Sequence, residues 1–436
     1  MAEEKVKNRY MIVFGALLIQ LCLGAIYAWS VFTPSLIAEP YNFTAAQTQL
    51  IFGAALACFA AVMIIAGRMQ AKFPPRNVAA VGGVILGVGY ILARFVGTSF
   101  IGHLITIGMI GGSGIGLAYV VPIAVGVKWF PDKKGLLTGL AVAGFGFGAL
   151  LWVKLAGSWG HLIDNIGVAN VFLIYGIAFA VIVLVGSVWM VNPPAGYQPP
   201  GWNPSDVSAV NNVGGTINLT SREMLKTPQF FGLWLMFIAG AMAGLMVIGC
   251  IKLFGIDALK SAGMVPAVAS AKAGTAMAVF FALANGIGRI AWGMMSDRLG
   301  RKTSLFLMCL SQGLIMLFFY KMGSTVPLLY IGSAVIGFNF GGNFALFPAA
   351  TADFFGNKTV GHNYGWVFTA YGIGGIVGPY LGGYFKSAAT SGDVSAWLTP
   401  FVVAGIASIL AAGIALLLKP VNVDKHLSES VNTEDV

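Results

Sequence analysis

Charge is scarce in this chain. Asp, Glu, Lys and Arg make up 9% of its 436 residues, while 58% are hydrophobic. A soluble domain carries about 25% charge. That balance excludes a soluble globular fold and implies an integral membrane protein of many helices. Acidic residues are the rarer sign, 15 against 25 basic ones. None lies deep in an apolar run: Asp164, Asp257 and Asp353 fall near run ends. Paired-carboxylate acid–base chemistry at membrane depth is thereby excluded. The four cysteines, Cys22, Cys58, Cys250 and Cys309, sit within apolar runs at no metal-ligand spacing, so they read as packing residues and no metal is expected. No His-Glu-x-x-His is present. Gly111-Gly112-x-Gly114-x-Gly116 and Gly144-x-Gly146-x-Gly148 follow no strand pattern and precede no Lys-Ser/Thr, so they are not nucleotide loops and no cofactor is expected. Small residues there allow close helix approach. An enzyme is not expected. The +10 net charge does not point to nucleic acid either, because the basic residues gather at run ends, where membrane topology requires them. No cleavable signal is expected, since Met1 to Arg9 is charged and the apolar run from Tyr10 is too long for a signal-peptide core.

What the chain has is hydropathy in blocks. Twelve spans are predicted, beginning near Tyr10, Thr44, Asn77, Ile101, Gly135, Ala169, Pro228, Val265, Lys302, Val326, Gly361 and Ala396. The expectation is an all-α membrane protein in two six-helix halves, over 1–192 and 228–419. A cytoplasmic linker over 193–227 joins them, and a cytoplasmic tail follows over 420–436. The linker opens with Pro-Pro-Ala-Gly-Tyr-Gln-Pro-Pro, a run that breaks helices. Of the 25 Lys and Arg, 17 fall on segments that share a side with the termini and 6 on the other side. The bias predicts both termini in the cytoplasm and an integral cytoplasmic (inner) membrane location. A monomer among membrane lipid is expected. The halves repeat: Gly67, Gly139, Gly146 and Gly148 recur as Gly293, Gly365, Gly372 and Gly374, all four at one constant offset. Six-helix repeats of this kind are a transporter architecture, with the site between the halves near the midplane.

One residue stands apart from this pattern. Arg289 is the only charge between Lys272 and Asp297. A charge at that depth costs a few kcal/mol or more, so it marks a polar cavity by default. Helical side chains tilt toward the helix N-terminus. On a span running inward, the Arg289 head therefore points to the midplane rather than to cytoplasmic water. Asn285 lies one turn earlier on the same face, where it is expected to bind substrate by donating to a second carboxylate oxygen or a substrate hydroxyl. With no carboxylate at depth, Arg289 lacks a permanent counter-ion, and a bound carboxylate would supply one through a bidentate pair. One cation neutralises one monoanion, which favours a lactate-, pyruvate-, acetate- or glycolate-like acid over a dianion. Two aromatic pairs keep the repeat spacing: Phe145 and Tyr371 stand at the glycine offset, and Tyr119 and Phe344 fall one position short of it. Such pairs are expected to meet at the central axis, with the Tyr371 hydroxyl placed to donate a hydrogen bond to the carboxylate. Lys154, His161 and Asp164 read as an interface cluster, and Arg94 as a snorkelling side chain.

Several stretches carry a family resemblance. Gly293-x-x-x-Asp297-Arg298-x-Gly300-Arg301 resembles the loop signature of the major facilitator superfamily, and its copy from Gly67 to Arg76 is degenerate. Gly24-Ala25-Ile26-Tyr27-Ala28-Trp29-Ser30, Lys128-Trp129-Phe130-Pro131-Asp132-Lys133-Lys134-Gly135, Thr227-Pro228-Gln229-Phe230, Ala345-Leu346-Phe347-Pro348 and Asn363-Tyr364-Gly365 are similar to the oxalate/formate antiporter family, which includes bacterial monocarboxylate-transporter-like members. The resemblance implies the major facilitator fold and alternating-access transport of small carboxylates. It places Arg289 as carboxylate anchor, and Tyr27, Tyr119, Phe145, Phe340, Phe344 and Phe368 as pocket lining. Asp297, Arg298 and Arg301 would form a gating latch. Oxalate-exchanging relatives have a lysine where this chain has Tyr371, which weighs against a dicarboxylate. Many proton-coupled relatives have an aspartate where this chain has Asn285, so their proton relay does not carry over. The expected function is secondary transport of a monocarboxylate with a proton, with oxalate/formate-type exchange as the alternative.

Overall fold

Apolar length builds the elements. The computed structural model describes residues 9–70, 72–130, 134–194, 197, 219–356, 360–388 and 393–418. Among these, ten helices are long and apolar enough to cross a membrane: α1 Arg9–Ile37, α2 Ala45–Met69, α3 Pro75–Ala93, α4 Phe100–Gly126, α6 Val168–Ser187, α7 Pro228–Ser261, α8 Pro266–Ser296, α9 Arg301–Met322, α10 Val326–Phe355 and α12 Val394–Leu417. Two further helices, α5 Lys134–Ala156 and α11 Val360–Ala388, complete the twelve. The starts agree closely with those read from hydropathy. The described residues contain no strand. Apolar side chains such as Leu410 on α12 and Val181 on α6 stay exposed, as a lipid-facing surface requires.

Local chemistry sets the helix ends. Thr44 and Gln47 form a reciprocal capping box at the start of α2. Thr227 accepts from the Phe230 amide at 3.2 Å and Pro228 follows at the first helical position of α7. Gly300 holds φ +81° between α8 and α9, a conformation open to glycine at little cost. Irregular turns interrupt three helices. In α1, Gly24–Ala28 is 3₁₀. In α4, Leu104–Gly111 is π-helical, as is Ala276–Phe281 in α8, just before Asn285. Such π turns redirect the side chains that follow, and they recur at functional sites.

The packing repeats with the sequence. Contacts of α1 with α5, α2 with α4 and α3 with α6 have counterparts in α7 with α11, α8 with α10 and α9 with α12. Between the halves, α2 packs on α11 and α5 on α8. Gly372 of α11 lies against Ala60 of α2, where an added Cβ would come 2.9 Å from the alanine methyl. Gly146 of α5 lies against Gly286 of α8, where an added Cβ would come 3.4 Å from the backbone nitrogen. Ala60 and Gly286 stand at the same offset as Gly146 and Gly372, so the two seams are equivalent positions of one repeat. Small residues on both keep the backbones close.

Ion pairs sit at the helix ends. Asp257 of α7 pairs with Lys386 of α11 at 2.7 Å and accepts from Trp397 Nε1 at 2.9 Å. Arg94 donates to Asn170 Oδ1 of α6 at 2.7 Å, so it is held by a protein partner rather than only snorkelling. His161 and Asp164 lie 3.6 Å apart and exposed, and Lys154 donates to Ser158 at 3.2 Å. Three of the four cysteines are buried and all are free.

Candidate functional site

Arg289 is buried at the seam between the halves, with 2% of its surface exposed. Its Nε donates to Asn285 Oδ1 at 3.1 Å, one turn back along α8. Its two remaining nitrogens, Nη1 and Nη2, have no hydrogen-bond partner among the described residues, and neither has Asn285 Nδ2. No carboxylate among the described residues pairs with it. The guanidinium instead faces two rings. Its Cζ is 4.1 Å from the Phe344 centroid and 5.9 Å from that of Phe145. Phe344 belongs to α10 and Phe145 to α5, so the cation lies between rings from both halves. Cation–π attraction of this kind contributes about 0.5–2 kcal/mol. Burial of an uncompensated charge costs several kcal/mol, so the rings offset only part of it. The phenols of Tyr27 and Tyr119 lie beside the guanidinium, close to hydrogen-bonding reach of it, but neither makes a well-formed hydrogen bond to Nη1 or Nη2.

The nine residues singled out from sequence converge. Arg289, Asn285, Tyr27, Tyr119, Phe145, Phe340, Phe344, Phe368 and Tyr371 are all buried, none exposing more than 6%. Tyr27 sits in the 3₁₀ break of α1, with its ring 4.9 Å from Phe145 and 5.6 Å from Phe340. Its hydroxyl lies 2.8 Å from the Tyr371 hydroxyl of α11, a hydrogen bond across the halves. Tyr371 stacks on Phe368 at 4.8 Å, and Phe368 lies 6.1 Å from Tyr119 of α4. The repeat is visible in ring geometry: Tyr119 meets Phe145 edge-on at 5.5 Å, and the equivalent Phe344 and Tyr371 meet edge-on at 5.6 Å. Gln20 anchors the Tyr119 turn by donating to its carbonyl at 3.1 Å.

Sequence reasoning missed two rings. Phe59 of α2 touches Tyr119, Phe368, Tyr371 and Phe145 at 4.9–6.3 Å. It is the repeat mate of Asn285, so the constant offset would have found it. The same offset takes Arg289 to Met63; one half supplies the cation and the other a thioether. Phe237 of α7 lies 5.9 Å from Phe368 and stacks on Phe347 at 4.3 Å. Its repeat mate is Met11, and no pattern marks it.

Arg298 and Arg301 do not join this cluster. Arg301 Nε pairs with Asp353 Oδ2 of α10 at 2.8 Å, and its Nη1 donates to Ser296 Oγ of α8. It therefore ties α8, α9 and α10 together within one half. Arg298 is exposed. The Asp297 side chain lies outside the described residues.

Comparison with known proteins fits the architecture. The Major Facilitator Superfamily model matches residues 12–276 and again 267–434. The chain belongs to this superfamily. Among Major Facilitator relatives, it is 28% identical to the Escherichia coli (strain K12) "Uncharacterized MFS-type transporter YhjX", over 85% of this chain and 86% of that one. It is 26% identical to the oxalate:formate antiporter of Oxalobacter formigenes, over 95% and 92% of the two chains. It is 24% identical to apicoplast pyruvate carrier 1 of Toxoplasma gondii, over 82% and 80%. Among solved Major Facilitator structures, a bacterial homologue of the human lysosomal transporter Spinster superposes with a TM-score of 0.66 at 16% identity, covering 94% of this chain and 96% of that one. The protein is a transporter, not an enzyme, and two of these relatives are named for small carboxylates.

Proposed function

We propose that the protein carries a small monocarboxylate, lactate- or pyruvate-like, across the membrane by alternating access, with Arg289 as the carboxylate anchor. The observation that carries this reading is the pair of unpartnered guanidinium nitrogens in a buried aromatic cage. A carboxylate placed there accepts two parallel charge-assisted bonds and neutralises the cation. Asn285 Nδ2, the Tyr119 hydroxyl and the Tyr27 hydroxyl can serve the remaining lone pairs. Phe59, Phe145, Phe340, Phe344 and Phe368 would enclose a methyl or short chain, and Tyr371 would close the cage beside Tyr27. Apolar enclosure with a few convergent polar groups is the usual form of a small-molecule site.

Transport follows from the seams. Every cage residue is sealed from solvent here, so loading requires the halves to separate on one side. The small residues where α2 meets α11 and α5 meets α8 allow one half to rock on the other. The halves would divide at 1–192 and 228–419, joined by a linker over 193–227, with both termini and the 420–436 tail in the cytoplasm of an inner-membrane protein. Arg301, Arg298 and Asp297 would stabilise one state at the loop between α8 and α9. Moving one net charge against 100 mV requires about 2.3 kcal/mol. A co-transported proton removes that term, and exchange of one anion for another removes it equally.

The test is counterflow of labelled lactate in proteoliposomes, competed by C1 to C4 mono- and dicarboxylates. Competition by lactate and pyruvate above oxalate is expected. Oxalate competing best would favour the exchanger reading that the 26%-identical antiporter suggests. Uptake that ignores an imposed pH gradient would remove the proton.

A further inference from the structure

One polar contact crosses the cage between the halves. The hydroxyls of Tyr27 on α1 and Tyr371 on α11 lie 2.8 Å apart, both side chains fully enclosed. The pair is framed on each side. Phe145 and Phe340 pack on the Tyr27 ring at 4.9 and 5.6 Å, and Phe368 and Phe344 on the Tyr371 ring at 4.8 and 5.6 Å. A hydroxyl has one proton, so one tyrosine donates to the other. Either hydroxyl can be the donor, and whichever donates has used its only proton. Tyr27 also lies near enough to feel the Arg289 guanidinium charge, so an anion held by Arg289 arrives beside the same oxygen.

We propose that Tyr27 is the donor in this hydroxyl pair and that the pair couples occupancy to conformational change. In the unloaded carrier it bridges the halves and holds them in this arrangement. A carboxylate on Arg289 is a stronger acceptor than a phenol, since bonds to charged groups are roughly twice as strong as neutral ones. Tyr27 then turns its proton to the carboxylate and the bridge to Tyr371 opens. A hydrogen bond tolerates only a few tenths of an ångström, so rocking of α1 against α11 breaks the bridge in any case. Loading removes that contribution to the barrier before the motion begins. The unloaded carrier therefore reorients more slowly than the loaded one, and exchange outruns net flux. The inference rests on the reading of Arg289 as carboxylate anchor. It adds a positioning role for Tyr371, which acts through Tyr27 rather than on the substrate.

The experiment compares two rates in the same proteoliposomes at equal pH on both sides: lactate exchange, and net lactate efflux into lactate-free buffer. In the wild type, exchange exceeds net efflux. Tyr371→Phe keeps the ring and deletes the bridge. It should raise the ratio of net efflux to exchange about 2- to 10-fold, the effect of losing one neutral hydrogen bond. Tyr27→Phe should raise the same ratio while also weakening lactate binding, because it deletes a carboxylate contact as well. Ratios within about twofold of wild type in both variants, with counterflow intact, would overturn the coupling role and leave the carrier reading standing. Wild-type protein that gives no counterflow with any carboxylate would overturn the carrier reading itself, and the coupling role with it.

Discussion

Arg289→Met separates the two faces of the central residue. Methionine is the residue the other half carries at the equivalent position, Met63, so the substitution makes the seam more symmetric. Binding should suffer. Two charge-assisted bonds from Nη1 and Nη2, at about 1.5–3 kcal/mol each, amount to about 3–6 kcal/mol, or roughly 10²- to 10⁴-fold in affinity. Folding should gain. The wild-type guanidinium is 2% exposed and has no counter-ion among the described residues. Replacing buried ionic groups by apolar ones of similar volume stabilises proteins by about 1–4 kcal/mol, and the lost cation–π contact with Phe344 subtracts about 0.5–2 kcal/mol. The ligand-free variant should melt at or slightly above the wild type in detergent. Saturating lactate at about 100 times its Kd should stabilise the wild type by about 2.7 kcal/mol and leave the variant unmoved. Scanning fluorimetry with and without lactate reads both effects. A variant that melts well below the wild type and still responds to lactate would refute the reasoning, because Arg289 would then be a structural cation with a partner.

Asn285→Asp places a carboxylate one turn from Arg289, where Asn285 Oδ1 now accepts from Nε at 3.1 Å. The ionised aspartate pairs with Arg289 and competes with substrate; protonation releases the cation. Lactate affinity of this variant should rise as pH falls, measured by titration calorimetry, more steeply than in the wild type. Arg289→Lys keeps the charge but loses the planar fork, so it should bind lactate about 10-fold or more weaker than the wild type, on the loss of one charge-assisted bond. Gly288→Ala drives a methyl into the Phe338 carbonyl oxygen of α10. Overpacking of this kind costs about 1–3 kcal/mol and shifts Arg289 on the same turn, so both thermal stability and lactate counterflow should fall.

The helices were legible because a bilayer demands long apolar runs, and twelve of them leave little room for error in existence or order. Arg289 was legible for the same reason: in a stretch with no other charge, one guanidinium has few explanations. The repeat offset pairs Phe145 with Tyr371, and Tyr119 with Phe344 to within one position, which is why they were expected to meet at the central axis. It would also have led to Phe59, had Asn285 been carried back into the first half by the same step. Contacts between distant residues were not legible. Tyr27 and Tyr371 are far apart in sequence, and Tyr27 lies in the 3₁₀ break at Gly24–Ala28, which hydropathy does not announce. Arg301 with Asp353, and Asp257 with Lys386, join ends of neighbouring helices. Hydropathy gives the order of helices but not their rotation, and rotation decides which end charges meet. Phe237 was invisible because aromatic residues in apolar helices carry no positional signal of their own.

The most direct measurement is a calorimetric comparison of lactate with lactamide on the wild-type protein in detergent. The two differ in little but charge and in the second carboxylate oxygen. If an unpaired buried guanidinium selects the ligand, lactate binds with a saturable heat and lactamide, at the same concentration, does not. Equal binding of the two, or binding of lactamide alone, would contradict the account.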